Sequence, residues 1–188
     1  MFRDNFLQNK TVSTSQNNAS GLINRIKLIP AELVNRILTK NGKLDNSFIQ
    51  LKKAGYLPDD IELAEYSATF VEDQIEESGR VTYNTTITFN IPSTSAEVSN
   101  YFLERRYVKQ IAIVLDRNLN VRCFGSPEYP LTITMNNSVG TPVDGGNGYM
   151  CTLTGVSAQA GLFGDNQTAF ESPIRVSSFN NSFSTIFQ

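Results

Sequence analysis

The chain has 188 residues, enough for one domain with a substantial core, and its charged fraction of 18% is low beside the roughly 25% usual in globular proteins. A formal net charge of −2 supplies no bulk attraction toward nucleic acid or an anionic membrane surface. Histidine is absent, which excludes Ser-His-Asp and Cys-His nucleophile systems and every His-ligated metal site, and two cysteines, Cys123 and Cys151, are too few for a four-thiolate zinc site.

Residues 1–20 are polar and unpatterned, lack the apolar stretch of a signal peptide, and read as an N-terminal arm. A β-rich core domain is expected over 21–155. It begins with "GLINRIKLIP", which alternates at Ile26 and Leu28 and suits a first strand. Pro30 then opens "PAELVNRILTKNG", where Leu33, Val34, Ile37 and Leu38 recur at i, i+1, i+4, i+5. With Pro at the start and Asn41-Gly42 at the stop, that stripe predicts a short amphipathic helix. A second helical turn is expected around 47–54, ending at Gly55.

The strongest pattern is "ELAEYSATFVEDQIEESGRVTYNTTITFNIP". Val81, Tyr83, Ile87, Phe89 and Ile91 face one way, and Arg80, Thr82, Asn84, Thr86, Thr88 and Asn90 the other, as in a half-buried strand. Ala64, Tyr66, Ala68 and Phe70 alternate ahead of it, with Ser78-Gly79 as turn residues, so a long hairpin over about 62–91 is predicted. Glu72, Asp73, Glu76 and Glu77 give it an acidic tip. A carboxylate pair for glycoside hydrolysis needs walls of structure around it, so this group reads as solvated and as a candidate subunit contact.

After Pro92, "STSAEVSNYFLERR" spaces Thr94 and Glu97 as a capping box, with Val98, Tyr101 and Phe102 as the apolar face and Arg105-Arg106 at the C-terminal dipole: a helix. "YVKQIAIVLD" is almost wholly apolar and reads as a central strand buried on both faces; "RNLN" turns it into "VRCFG". In "PLTITMNNSVGTPVDGGNGYMCTLTG", Leu131, Ile133 and Met135 alternate before a Gly-rich middle, and Tyr149, Cys151 and Leu153 after it. One acid, Asp144, and no Lys are too little for a calcium or phosphate loop, so the middle is expected to be a hairpin connection. Both cysteines fall at inward strand positions and are expected to be reduced core thiols.

Residues 156–188 leave the pattern and are assigned to a C-terminal arm. Phe179, Phe183 and Phe187 stand four apart in "SSFNNSFSTIFQ". That spacing gives one face of a helix, while the Ser and Asn content favours an extended arm with Phe anchors. A place in the chain's own core is an equal alternative. No residue set points to a cofactor, a metal or catalysis, and no apolar run reaches the roughly 20 residues of a membrane span.

The order of a polar arm, a strand ending in "IP", a long hairpin closing on a second "IP", a helix, "IAIVLDRNLNVRCFGSPEYPLTITM" and "DGGNGYMCTLTG" resembles the small structural proteins encoded among the tail and neck genes of tailed bacteriophages of Bacteroidetes hosts, including crAss-like phages. The resemblance covers about 22–155. It implies a β-rich virion protein, assembled in the host cytoplasm, whose copies form a homo-oligomeric ring. Such a ring contacts neighbouring tail or neck proteins, and duplex DNA passes through it as cargo. The expected fold is mainly β, a mostly antiparallel sandwich or barrel with one or two short helices and extended N- and C-terminal arms. The rival function is a stand-alone carbohydrate-binding sandwich; such modules stack sugars on exposed aromatics, commonly Trp, which this chain lacks.

Overall fold

The structure is a computed structural model that describes residues 23–63, 67–91, 95–138, 148–164 and 167–175. In chain order it contains β1 (Ile23–Pro30), β2 (Val34–Lys40), β3 (Lys43–Leu51), β4 (Asp59–Glu62), β5 (Thr69–Glu77), β6 (Arg80–Ile91), α1 (Ala96–Arg105), β7 (Gln110–Asp116), β8 (Val121–Phe124), β9 (Thr132–Ser138), β10 (Gly148–Ser157), β11 (Leu162–Gly164) and α2 (Gln167–Glu171). The strands make a five-stranded sheet in the order β11-β8-β7-β1-β4, a four-stranded sheet β5-β6-β10-β9 and a two-stranded ribbon β2-β3. Every strand ladder is antiparallel, so the expected mainly β, mostly antiparallel fold with short helices is what the chain adopts.

Two hydrophobic cores lie on opposite faces of the five-stranded sheet. Ile26, Leu28, Ala112, Val114 and Phe124 meet Ile87, Phe89, Ile133, Cys151 and Leu153 of the four-stranded sheet, with Phe102 of α1 closing one end. On the other face Ile29, Ile111, Ile113, Leu115, Val121 and Cys123 pack under Phe48 and Ile49 of the ribbon and Ala169 and Phe170 of α2. β7 therefore sends even-numbered side chains into one core and odd-numbered ones into the other. This is why its sequence is a continuous apolar run. Cys123 and Cys151 are free, buried and in different cores, in agreement with two reduced core thiols.

The predicted helix at 30–41 is corrected. A 3-10 turn at Ala31–Leu33 leads into β2, and Asn41-Gly42, read as a helix stop, is a hairpin turn with φ of 52° and 76°. The cause is visible in the ladder: β2 and β3 slip register between Val34 and Arg36 and again between Ile37 and Thr39. Each irregularity offsets the period of two, and the resulting apolar spacing imitates a helix. The helical turn expected around 47–54 is likewise β3, with Ser47 at φ 55° where the strand is irregular.

The β5–β6 hairpin turns at Ser78-Gly79 as expected, φ 52° and 74°. It starts at Thr69, however; Glu62 ends β4, which belongs to the other sheet and pairs with β1. α1 forms as predicted, but its N-cap is Ser95, whose hydroxyl accepts from Val98 N at 3.3 Å; Thr94 lies outside the described residues. The "RNLN" turn is held by Asp116, whose Oδ1 accepts from Asn118 N and Asn120 N at 2.8 Å each. Gly148 pairs with Ser138, so β9 and β10 are antiparallel neighbours, and their connection at 139–147 lies outside the described residues.

The greatest departure is at the C-terminal side. Residues 156–175, expected within an arm, extend β10 to Ser157, add β11 to the edge of the five-stranded sheet and supply α2 as a lid on the second core. Phe170 is fully buried there.

Burial pushes the thiols of Cys123 and Cys151 and the phenol of Tyr56 up to about 12, and the Asp59 carboxylate adds to the effect on Tyr56. A raised acid pKa favours the protonated form in the folded state. The stability it contributes is complete below the unfolded values, about 9 for the thiols, and is lost as pH climbs toward 12. Unfolding midpoints are therefore expected to fall between pH 9 and 12, and Cys123→Ala with Cys151→Ala to flatten that fall. Denaturant titrations across the range check it; a fall unchanged in the double variant would contradict it.

Candidate functional site

Three places on the fold combine polar groups with accessible surface. The first is the outer half of the β5–β6 hairpin. Asp73, Glu76 and Glu77 are exposed, as is everything from Asp73 to Val81, so this half stands clear of both cores. Glu77 is opposite Arg80, Asp73 opposite Asn84, and Glu76 opposite Val81, itself 38% exposed. Of the four predicted carboxylates, Glu72 stands apart: half-buried, its Oε1 accepts from Gly161 N at 2.7 Å and ties the hairpin base to the β10–β11 loop. A Cβ at Gly161 would lie 2.5 Å from the Phe124 ring, so glycine is what lets that loop come close. Phe179, Phe183 and Phe187 lie outside the described residues.

The second place is a groove of about 480 Å³ between the β2 strand, the turn at 125–129 and the loop at 157–162. Glu72 and Thr85, paired in register, form part of its wall, and Tyr129, 44% exposed, stands at its rim. Its charges do not converge. Arg36 Nε donates to Gln50 Oε1 at 2.6 Å, Glu72 is held by the Gly161 amide, and Glu128 is exposed. The Cys123 thiol in its lining is buried and held protonated at neutral pH. Such a groove offers shape and hydrogen bonds to a ligand.

The third is a pair of ionic clamps. At one end of the five-stranded sheet Arg105 of α1 donates to Asp59 Oδ2 from Nε at 3.1 Å and Nη2 at 2.8 Å, while its guanidinium stacks 3.8 Å from the Tyr101 ring centre. The Tyr101 hydroxyl is buried without a hydrogen-bond partner among the described residues, and burial, then the Asp59 charge, pushes its pKa up. Nearby, Arg25 bridges Asp60 and Glu171, and Lys27, only 7% exposed, donates from Nζ to the Phe170 carbonyl at 3.0 Å and the Glu171 carbonyl at 3.3 Å. Lys27 thus caps the C-terminus of α2, where the last carbonyls lack intrahelical donors.

Sequence reasoning found the hairpin tip and missed the groove and both clamps. The groove is built from turns far apart in sequence, with no periodic signal. The clamps use Arg25, Lys27, Asp59 and Asp60, whose roles depend on strand pairing. Among the described residues there is no group of three or more His, Cys, Asp or Glu able to hold a metal ion, and no helix long and apolar enough to cross a membrane. Comparison with known protein families, with curated proteins and with solved structures finds no match for this chain.

Proposed function

We propose that this chain is a non-enzymatic virion structural protein of a tailed phage, a ring-forming subunit of the tail or head–tail neck that helps build the conduit for duplex DNA. The observation that carries the reading is the exposed outer half of the β5–β6 hairpin. Nine residues, 73–81, leave the body of the domain as a two-stranded ribbon that neither core covers. A ribbon of that length is marginal by itself and gains stability when a neighbour packs on it. The sequence resemblance supplies the setting, and the low charge of the chain leaves little self-repulsion to oppose association.

The test keeps the register of the sheet. A variant that joins Ile75 through Ser78-Gly79 to Thr82 removes two exposed residues from β5 and two from β6 and retains the turn. Its monomer is expected to unfold within about 1 kcal/mol of the parent, since the deleted residues lie outside the cores, while ring assembly is lost. Unchanged assembly would refute the hairpin's role; a collapse of monomer stability would mean that the ribbon belongs to the core.

The rival reading, a carbohydrate-binding sandwich, draws support from the groove with Tyr129 at its rim, an aromatic on which a sugar ring can stack. Saturable binding of an oligosaccharide, abolished by Tyr129→Ala, together with a strictly monomeric protein, would favour it over the ring.

A further inference from the structure

The outer face of the four-stranded sheet carries an array that strand pairing assembles from three separate stretches. Thr-x-Thr occurs at Thr86-Ile87-Thr88, Thr132-Ile133-Thr134 and Thr152-Leu153-Thr154. Ile87, Ile133 and Leu153 point into the core, so the flanking threonines face away from it. The register aligns them across the sheet. One row runs Thr69, Thr88, Thr152, Thr134; the next runs Val71, Thr86, Thr154, Thr132. Met150, Val156, Val71 and Ile75 on the same face are 43%, 57%, 52% and 41% exposed.

Neither row contains a charged residue. Charge appears at the margins: Asp73 of the edge strand β5, one row beyond Val71 on the same face, Glu77 and Arg80 further out along the hairpin, and Lys109 at the β9 edge, where its Nζ donates to Thr132 Oγ1 at 2.7 Å; Glu76 faces the other way. A solvent-facing sheet surface ordinarily carries interspersed charges of both signs. Depletion of charge with exposed β-branched and Met side chains is instead the composition of an interface centre, with charge left to the rim. Four strands about 4.8 Å apart, paired over roughly eight residues at about 3.4 Å each, give a face on the order of 500 Å² in projection. That is a large part of the ~800 Å² per partner of a standard interface, and the hairpin adds to it.

We infer that a second copy of this chain covers the face, sheet against sheet, about a two-fold axis running along the strands. That axis lays the β5 edge of each copy over the β9 edge of the other. Asp73 of one copy then stands one row from Lys109 of its partner, twice, while the threonine rows meet in the middle. The charge pattern fits this arrangement, since the acidic and basic margins lie at opposite edges of one sheet. The inference goes beyond the ring reading: a two-fold pair exists whether or not rings close, and combined with ring closure it gives stacked rings of dihedral symmetry.

The test compares the full chain with Thr86→Lys/Thr152→Lys by sedimentation and mass photometry, with circular dichroism as the check on folding. The parent is expected to pair, and the lysine variant to pair at least about tenfold more weakly, because like charges in a charge-free interface centre have no partner. A second set leaves the threonine rows untouched: Asp73→Lys is expected to weaken pairing and Lys109→Glu in the same chain to restore it. A parent that stays monomeric overturns the inference, and so does pairing that neither set alters. Rings that persist unpaired in the lysine variant would support the inference together with the ring reading. Two-fold pairs without rings in the parent would support it and end the ring reading.

Discussion

Phe170→Ala is expected to cost about 3–5 kcal/mol, the range for removing a fully buried aromatic side chain. Phe170 is completely inaccessible and lies among Ile111, Ile113, Phe48 and Ala169 in the second core. It sits on a helix of five residues, too short to hold itself together without tertiary packing. Loss of the ring therefore releases the whole of α2 as well as opening a cavity, and the Arg25 and Lys27 contacts to Glu171 and the Phe170 carbonyl go with it. Truncation after Gly155 removes β11, α2 and the last two residues of β10, and is expected to yield a chain that does not fold. Urea unfolding of the point variant and the heteronuclear spectrum of the truncated chain measure these effects. A well-folded truncated protein would show that the second core closes without α2.

The next largest effect is expected at Lys27. A lysine this enclosed survives because its ammonium donates to two α2 carbonyls within 3.3 Å and has the Asp60 carboxylate as a counter-charge at 3.8 Å. Its ammonium also lies 4.7 Å from the centre of the Phe170 ring. Lys27→Ala leaves a buried carbonyl acceptor without its donor and deletes the methylene stem that packs beneath α2, together costing about 2–4 kcal/mol. Lys27→Met keeps the stem and removes only the donors, so it is expected to lose about half as much. Equal losses in the two variants would assign the whole effect to the ammonium; equal stability of Lys27→Met and the parent would assign it to packing.

The elements legible in the sequence are those whose period the tertiary structure leaves undisturbed. β6 and β10 alternate because one face meets the core and the other does not, and β7 is apolar throughout because two cores flank it. β2 was illegible as a strand for a local reason: its two register irregularities displace Val34, Ile37 and Leu38 from strict alternation, and the Asn-Gly that ends a helix also turns a hairpin. α2 offers five residues and two buried side chains, less than one period of evidence. Lys27 looks like a surface residue until β1 is known to lie beside α2. The acidic tip was readable because exposure at a hairpin end follows from the hairpin itself. Glu72 was grouped with it by adjacency, and the chain's return at Gly161 gives that residue a different task. The threonine array needs the pairing of four strands, and three Thr-x-Thr stretches scattered over 86–154 give no sign of being neighbours until β10 lies between β6 and β9.

The ring proposed for this chain consists of identical copies closed around a channel. Particle imaging of the purified chain, alone and mixed with the products of the genes that flank its own, tests it directly. Closed rings of a single stoichiometry are expected, with a channel wide enough for duplex DNA and the β5–β6 hairpin lying across a subunit boundary. A protein that remains monomeric under every condition and never enters a particle would contradict it.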